Sequence, residues 1–184
     1  TGPAGSGKDV IARLLHKNSL RSESAFVSIN CATMNPQNFE RGLFGSENSD
    51  SLTQSITIGT FEQAHNGTLF LDEVADMPLE TQGKIVRTLQ EQTFQRVGGT
   101  KFIEVDVRVI AASTKDLSEE MEKGNFREDL FYRLSVVPIK IPPLKNYRDD
   151  IPSLAKFFMH QIAGLSGRFP REFSEEALTT LQYY

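Results

Sequence analysis

With 184 residues, 39% of them hydrophobic and 24% charged, the chain is long enough to bury one sizeable core and too short for two full domains. A formal net charge of −4 argues against a dominant basic surface for nucleic acid. Its single cysteine, Cys31, permits no intrachain disulfide, and His16, His65 and His160 lie too far apart for metal-ligand spacing, so neither a disulfide framework nor a structural metal is expected.

The chain opens on Gly2-Pro3-Ala4-Gly5-Ser6-Gly7-Lys8, the spacing of a loop that wraps phosphate oxygens in backbone N–H groups. Glycine is needed there because it lets the backbone approach an anion closely and turn with positive φ. Apolar residues at Val10, Ile11, Leu14 and Leu15 then predict an amphipathic helix ending near Asn18, whose N-terminal N–H groups and dipole point at the same anion. Lys8 adds a compact positive charge for the β and γ phosphates. The general signature asks for Ser or Thr after the lysine to hold Mg²⁺, whereas this chain has Asp9. A carboxylate there either binds the metal or its waters, or opposes the phosphates by its charge, and the loop alone leaves both readings open. Because such a loop is normally launched by a buried strand, the chain is expected to be a piece of a longer protein.

Further along, 26–29 reads as a short buried strand, and 46–60, polar and rich in Ser and Thr, as an exposed loop. Leu69-Phe70-Leu71 is a second strand that ends in Asp72-Glu73. Acids at the C-terminal end of a strand stand where open α/β sheets bind their ligands, and two adjacent ones can divide the work, Asp72 ordering Mg²⁺ and Glu73 polarising an attacking water. Pro78 fits the turn before a helix over 80–92 with Ile85, Val86 and Leu89 on one face. Strands are predicted over 105–112 and 136–141, and a helix over 150–163 with a stripe of Ile151, Leu154, Ala155, Phe158 and Ile162. Ser174 is a good N-cap for a last helix, with Glu175 and Glu176 in its first turn and Phe173 placed to staple onto Leu178. Alternating strands and helices predict an α/β fold, a mostly parallel sheet flanked by helices over 1–143, with a small second lobe over 144–184. No apolar run approaches about 18 residues and no charged-then-apolar leader opens the chain, so neither a membrane span nor a signal peptide is expected, and the predicted location is the cytoplasm.

The runs GTLFLDEVADMP (67–78), RVGGT (96–100), VDVRVIAAS (105–113) and FREDLFYRL (126–134) resemble the AAA+ central domain of bacterial enhancer-binding proteins, the NtrC-type response regulators that activate sigma-54 RNA polymerase. That resemblance spans the whole chain and implies a P-loop NTPase fold whose 144–184 segment begins a helical lid. It accounts for Asp9, since the family carries an acidic residue after the loop lysine. It implies ATP and Mg²⁺ as ligands, with Gly2, Pro3, Ala4, Gly5, Ser6, Gly7, Lys8, Asp9 and Val10 at the nucleotide, and Ser113 and Thr114 where the family senses the γ-phosphate. Asn30 would be the partner that holds Glu73, although a strand-end Asn also serves simply to cap a turn. Arg127 and Arg133 match the arginine fingers that reach into the next subunit's nucleotide, which requires a self-assembled oligomer or ring. Taken singly, each arginine better suits a surface ion pair with Glu128 or Asp129.

Family activators carry a Gly-Ala-Phe-Thr-Gly-Ala loop after Leu43-Phe44-Gly45 to touch sigma-54, and residues 46–60 contain nothing like it. In this the chain is similar to the NtrX branch, regulators paired with a sensor kinase, some of which lack the motif. Sigma-54 RNA polymerase is therefore a doubtful partner, and the sensor kinase and DNA would be met through domains outside this chain. Two functions stay open: an ATP-hydrolysing module, or a non-catalytic one in which nucleotide only fixes an oligomer.

Overall fold

The computed structural model describes residues 1–48 and 55–183. It divides into two units, Thr1–Ile141 and Pro142–Tyr184.

In the first unit, α1 (Lys8–Lys17) follows the glycine loop and leads to β1 (Phe26–Asn30) and α2 (Phe39–Phe44). β2 (Ser46–Asn48) and β3 (Ser55–Thr57) form an antiparallel ribbon, followed by α3 (Thr60–Gln63) and β4 (Thr68–Asp72). Then come α4 (Leu79–Glu91), a second antiparallel ribbon of β5 (Thr93–Gln95) and β6 (Phe102–Glu104), β7 (Arg108–Ala111), α5 (Leu117–Glu122) and α6 (Glu128–Leu134). The second unit holds α7 (Ile151–Leu165) and α8 (Glu175–Tyr183).

β1, β4 and β7 make a parallel sheet with β4 in the centre. Successive strand residues face opposite sides, so Leu69 and Leu71 enter the main core while Phe70 faces α1. That main core collects Phe39, Leu43, Phe61, Ile85 and Leu130, each at most 1% exposed. Phe44 stacks on Phe61 with centroids 5.4 Å apart, and Phe94 closes on both at 5.5 and 6.1 Å.

Several elements differ from their sequence patterns for identifiable reasons. The buried residues of α1 are Ala12 and His16, while Val10 and Leu14 stand 66% and 53% exposed. Small Ala12 lets the helix settle on Phe70 and Ala112, and His16 Nδ1 lies 2.9 Å from Thr68 Oγ1, which rotates the inner face away from the aliphatic stripe. The strand expected over 105–112 is confined to Arg108–Ala111, because the chain before it folds back into the β5–β6 ribbon. No strand forms over 136–141. Pro138 there has no N–H to donate, and a cavity of about 550 Å³ lined by Ile110, Val136, Pro138 and Ile139 separates the segment from β7. Its ladder bonds run instead to Thr1, whose N-terminal nitrogen donates to Ile139 O and whose O accepts from Ile141 N, both at 2.7 Å.

Within 46–60, expected as loop, the ends pair as the β2–β3 ribbon, and 49–54 lie outside the described residues. The base of this ribbon is closed by a crossing of bare backbone. A Cβ at Gly59 would meet Gly45 N at 2.3 Å, and one at Gly45, where φ is +75°, would meet Thr57 O. The second ribbon joins the first there, with Glu47 N donating to Val97 O at 2.9 Å and Val97 N to Gly45 O at 3.0 Å. Arg96, its side chain 13% exposed, forks onto Glu62 at 2.8 Å and reaches Glu47 at 3.7 Å. In the second unit, Ser174 caps α8 by accepting from Ala177 N at 3.2 Å, while of the expected stripe on α7, Phe158 and Ile162 are more than half exposed.

Candidate functional site

The loop before α1 turns at Gly5 and Gly7, whose φ values of +75° and +86° are left-handed conformations that favour glycine. It is closed by Ser6 N donating to Pro3 O at 3.2 Å and tied to the end of β7 by Gly2 N donating to Ser113 O at 3.3 Å. No side chain caps α1 at Gly7, so the first-turn N–H groups of a ten-residue helix are left for a ligand. Ser6 Oγ is buried without a hydrogen-bond partner, a cost that a bound oxygen would remove. Lys8 Nζ donates to Gly2 O at 3.1 Å and Pro3 O at 3.2 Å, and lies 3.5 Å from Glu73 Oε1.

Glu73 sits just past β4 with φ +49° and ψ +49°, an uncommon place for a non-glycine residue. Its Oε2 accepts from Thr114 N at 2.9 Å and Thr114 Oγ1 at 2.8 Å. Lys8, Glu73 and Thr114 thus come together from three elements. Neighbouring Ser113 is 1% exposed, and its hydroxyl is spent on the Lys115 backbone, donating to O at 2.8 Å and accepting from N at 3.1 Å.

The resemblance implies that Asn30 holds Glu73, whereas here its amide is turned to Asp72. Its Nδ2 donates to Asp72 Oδ2 at 3.0 Å, and its Oδ1 accepts from Ala32 N at 3.0 Å. Parallel register pairs Asn30 directly with Asp72, and residues paired in register share a face of the sheet. Glu73 has already left the strand, so its carboxylate turns to Thr114 and Lys8 instead. Asp9 is exposed and accepts from Arg13 Nε at 3.0 Å, and Val10 is exposed beside it.

Arg127 stands at the start of α6 and Arg133 in its last turn, and neither is drawn into this cluster. Arg127 forks onto Asp129 at 3.0 and 2.7 Å, the surface ion pair expected of it taken singly, and that guanidinium holds the Asp129 carboxyl below the usual range. Arg133 Nη2 donates to Leu89 O at 2.6 Å. One residue that the sequence pattern hides is Gln82: polar on an amphipathic helix, it reads as surface, yet it is fully buried beside the Arg127 backbone.

Beneath the acids lies Cys31, whose thiol is pushed up to about 12, first by burial and then by the charges of Asp72, Asp76 and Glu73. It is expected to resist iodoacetamide at pH 8 in the folded protein and to react once urea exposes it; rapid labelling of the native state would contradict its burial. Since the unfolded thiol ionises near 9, stability is expected to fall as pH climbs from there towards 12.

A loop of free N–H groups, a lysine, and carboxylates at a strand end can together hold a polyphosphate and a hard cation. Mg²⁺ commonly takes only one or two carboxylates and completes its shell with phosphate and water. Asp72 fits that role, and among the described residues no group of three or more His, Cys, Asp or Glu forms a self-sufficient metal cage.

Residues 1–140 match the family model described as the Sigma-54 interaction domain. The nitrogen assimilation regulatory protein NtrX of Azorhizobium caulinodans is 48% identical over 181 residues, covering 98% of this chain and 39% of its own length. Crystal structures of NtrX from Brucella abortus in complex with ADP and with ATP superpose on the whole chain with TM-scores of 0.90, at 48% and 49% identity, and the match covers 40% of each. The chain thus spans about two fifths of the length of these relatives.

Proposed function

The chain belongs to the Sigma-54 interaction domain family, AAA+ P-loop modules of NtrC- and NtrX-type regulators, and from that premise we propose that it binds ATP with Mg²⁺ and hydrolyses it in a self-assembled oligomer. The observation that carries this reading is the Lys8–Glu73–Thr114 cluster at the mouth of the glycine loop. A triphosphate in the loop draws Lys8 away from Glu73, because phosphate oxygens carry more charge than one carboxylate. Glu73, still held at Oε2 by Thr114, is left with Oε1 free to orient a water and take its proton. Asp72, fixed by Asn30, would hold Mg²⁺, which supplies charge neutralisation at the phosphates. Arg127 and Arg133 complete a neighbour's site, their guanidinium charge facing the departing γ-phosphate.

The sequence lacks the loop motif with which family activators touch sigma-54, so the module works without remodelling that polymerase. Its assembly state instead arranges domains outside this chain, through which a sensor kinase and DNA are met in the cytoplasm. Among the described residues, no helix is long and apolar enough to cross a membrane.

The test is ATP turnover per protomer across a concentration series, beside Glu73→Gln. Turnover is expected to rise with concentration and to fall about 10²- to 10⁴-fold in the variant, the usual worth of general base catalysis. Tight ATP binding with no turnover at any concentration would make this a non-catalytic assembly module.

A further inference from the structure

Gln82 lies on the inner face of α4 at 0% exposure. Both N–H groups of its amide and its carbonyl are used, each on the backbone of another segment: Nε2 donates to Met77 O at 2.8 Å and to Asn125 O at 3.1 Å, and Oε1 accepts from Arg127 N at 2.8 Å. Packing alone does not call for an amide there, since neighbouring Ile85 and Val86 fill the same core. What the amide adds is a fixed distance between chain segments that share no ladder.

Those segments are the two halves of the shared site. Met77 is joined to Glu73 by one tight 3₁₀ turn, with Asp76 N donating to Glu73 O at 3.0 Å and Met77 N to Val74 O at 3.2 Å. Asn125 is anchored on its other side, where its N and Nδ2 both donate to Glu120 at 2.9 Å. Arg127 is the first residue outside α6, without a side-chain cap, so the bond to Gln82 is what fixes its backbone N–H. The Arg127 guanidinium passes over the next residue of α4, Gly83, where a Cβ would stand 3.6 Å from Nη1.

We propose that Gln82 is a positioning residue: it ties the backbone of Arg127, which serves the neighbouring subunit's nucleotide, to the turn that follows this subunit's own Asp72-Glu73. The proposal rests on the shared-site reading above. It makes the placement of the arginine depend on the conformation of Glu73's turn, so that each subunit presents its arginine according to the state of its own site.

The experiment uses Gln82→Met, close in volume but without polar atoms, and Gln82→Asn, too short to span the same three partners and serving if the first does not fold. ATP binding is expected to stay within about twofold of the unsubstituted protein, because nothing at the loop changes, while turnover falls about 100-fold, the usual consequence of misplacing a reacting group by about 1 Å. The deciding measurement is mixing. A Gln82 variant keeps the Glu73 carboxylate, held by Thr114, and has a misplaced Arg127, whereas Glu73→Gln has the reverse, so equimolar mixtures recover turnover well above that of either alone. Arg127→Ala mixed with Glu73→Gln is the reference. If the reference recovers and the Gln82 mixtures do not, the role of Gln82 is overturned while the shared site stands. If neither recovers, the shared-site reading fails and this proposal with it.

Discussion

Replacing Lys8 with alanine is expected to weaken ATP binding at least about 100-fold while leaving the fold in place. The Lys8 side chain is only 10% exposed, and its ammonium lies where a phosphate can take over its contacts, now made to Gly2 O, Pro3 O and Glu73. Each charge-assisted hydrogen bond is worth about 1.5–3 kcal/mol, so losing two at the phosphates exceeds the 2.8 kcal/mol or so of a hundredfold change. A second effect has the same sign: without Lys8, the Glu73 carboxylate faces the triphosphate with no intervening positive charge. Calorimetric titration reads the affinity, and thermal melting without nucleotide reads the fold. Unchanged affinity in a folded Lys8→Ala protein would remove the glycine loop as the phosphate site.

Arg133→Ala is expected to lower turnover about 10³-fold or more, the low end for an arginine supplied in trans, with affinity for ATP nearly unchanged. In the structure this guanidinium is bonded to Leu89 O at the end of α4, a contact that it must leave to reach a neighbour. The Leu89 carbonyl has other options near a helix end, so the cost to stability is small, about 1 kcal/mol. Mixing with Glu73→Gln is expected to restore part of the activity, since the mixture contains interfaces with one good site and one good arginine. Full turnover by Arg133→Ala alone would exclude it from the chemistry.

What the sequence reveals about this site is what lies contiguous in it. Residues 2–8 are read directly because the backbone geometry a phosphate needs is written in closely spaced glycines, and β4 announces itself as an apolar run leading into two acids. Pairings across the sheet are not written that way. Asn30 meets Asp72 through parallel register, and Glu73 meets Thr114 because it has already turned off the strand into a left-handed conformation. The inner face of α1 is likewise set by what lies beneath it, since Ala12 fits over Phe70 where a larger residue of the aliphatic stripe would hold the helix away. Gln82 escapes sequence reading for a related reason: its value lies in backbone groups at Asn125 and Arg127, more than forty residues away, as well as at nearby Met77, and polarity alone places it in solvent.

The crossing of Gly45 with Gly59 and the fork of Arg96 onto Glu62 fasten the base of the β2–β3 ribbon. Evolution is therefore held to glycine at 45 and 59, and to a pair of opposite charges at 62 and 96, wherever this base is kept.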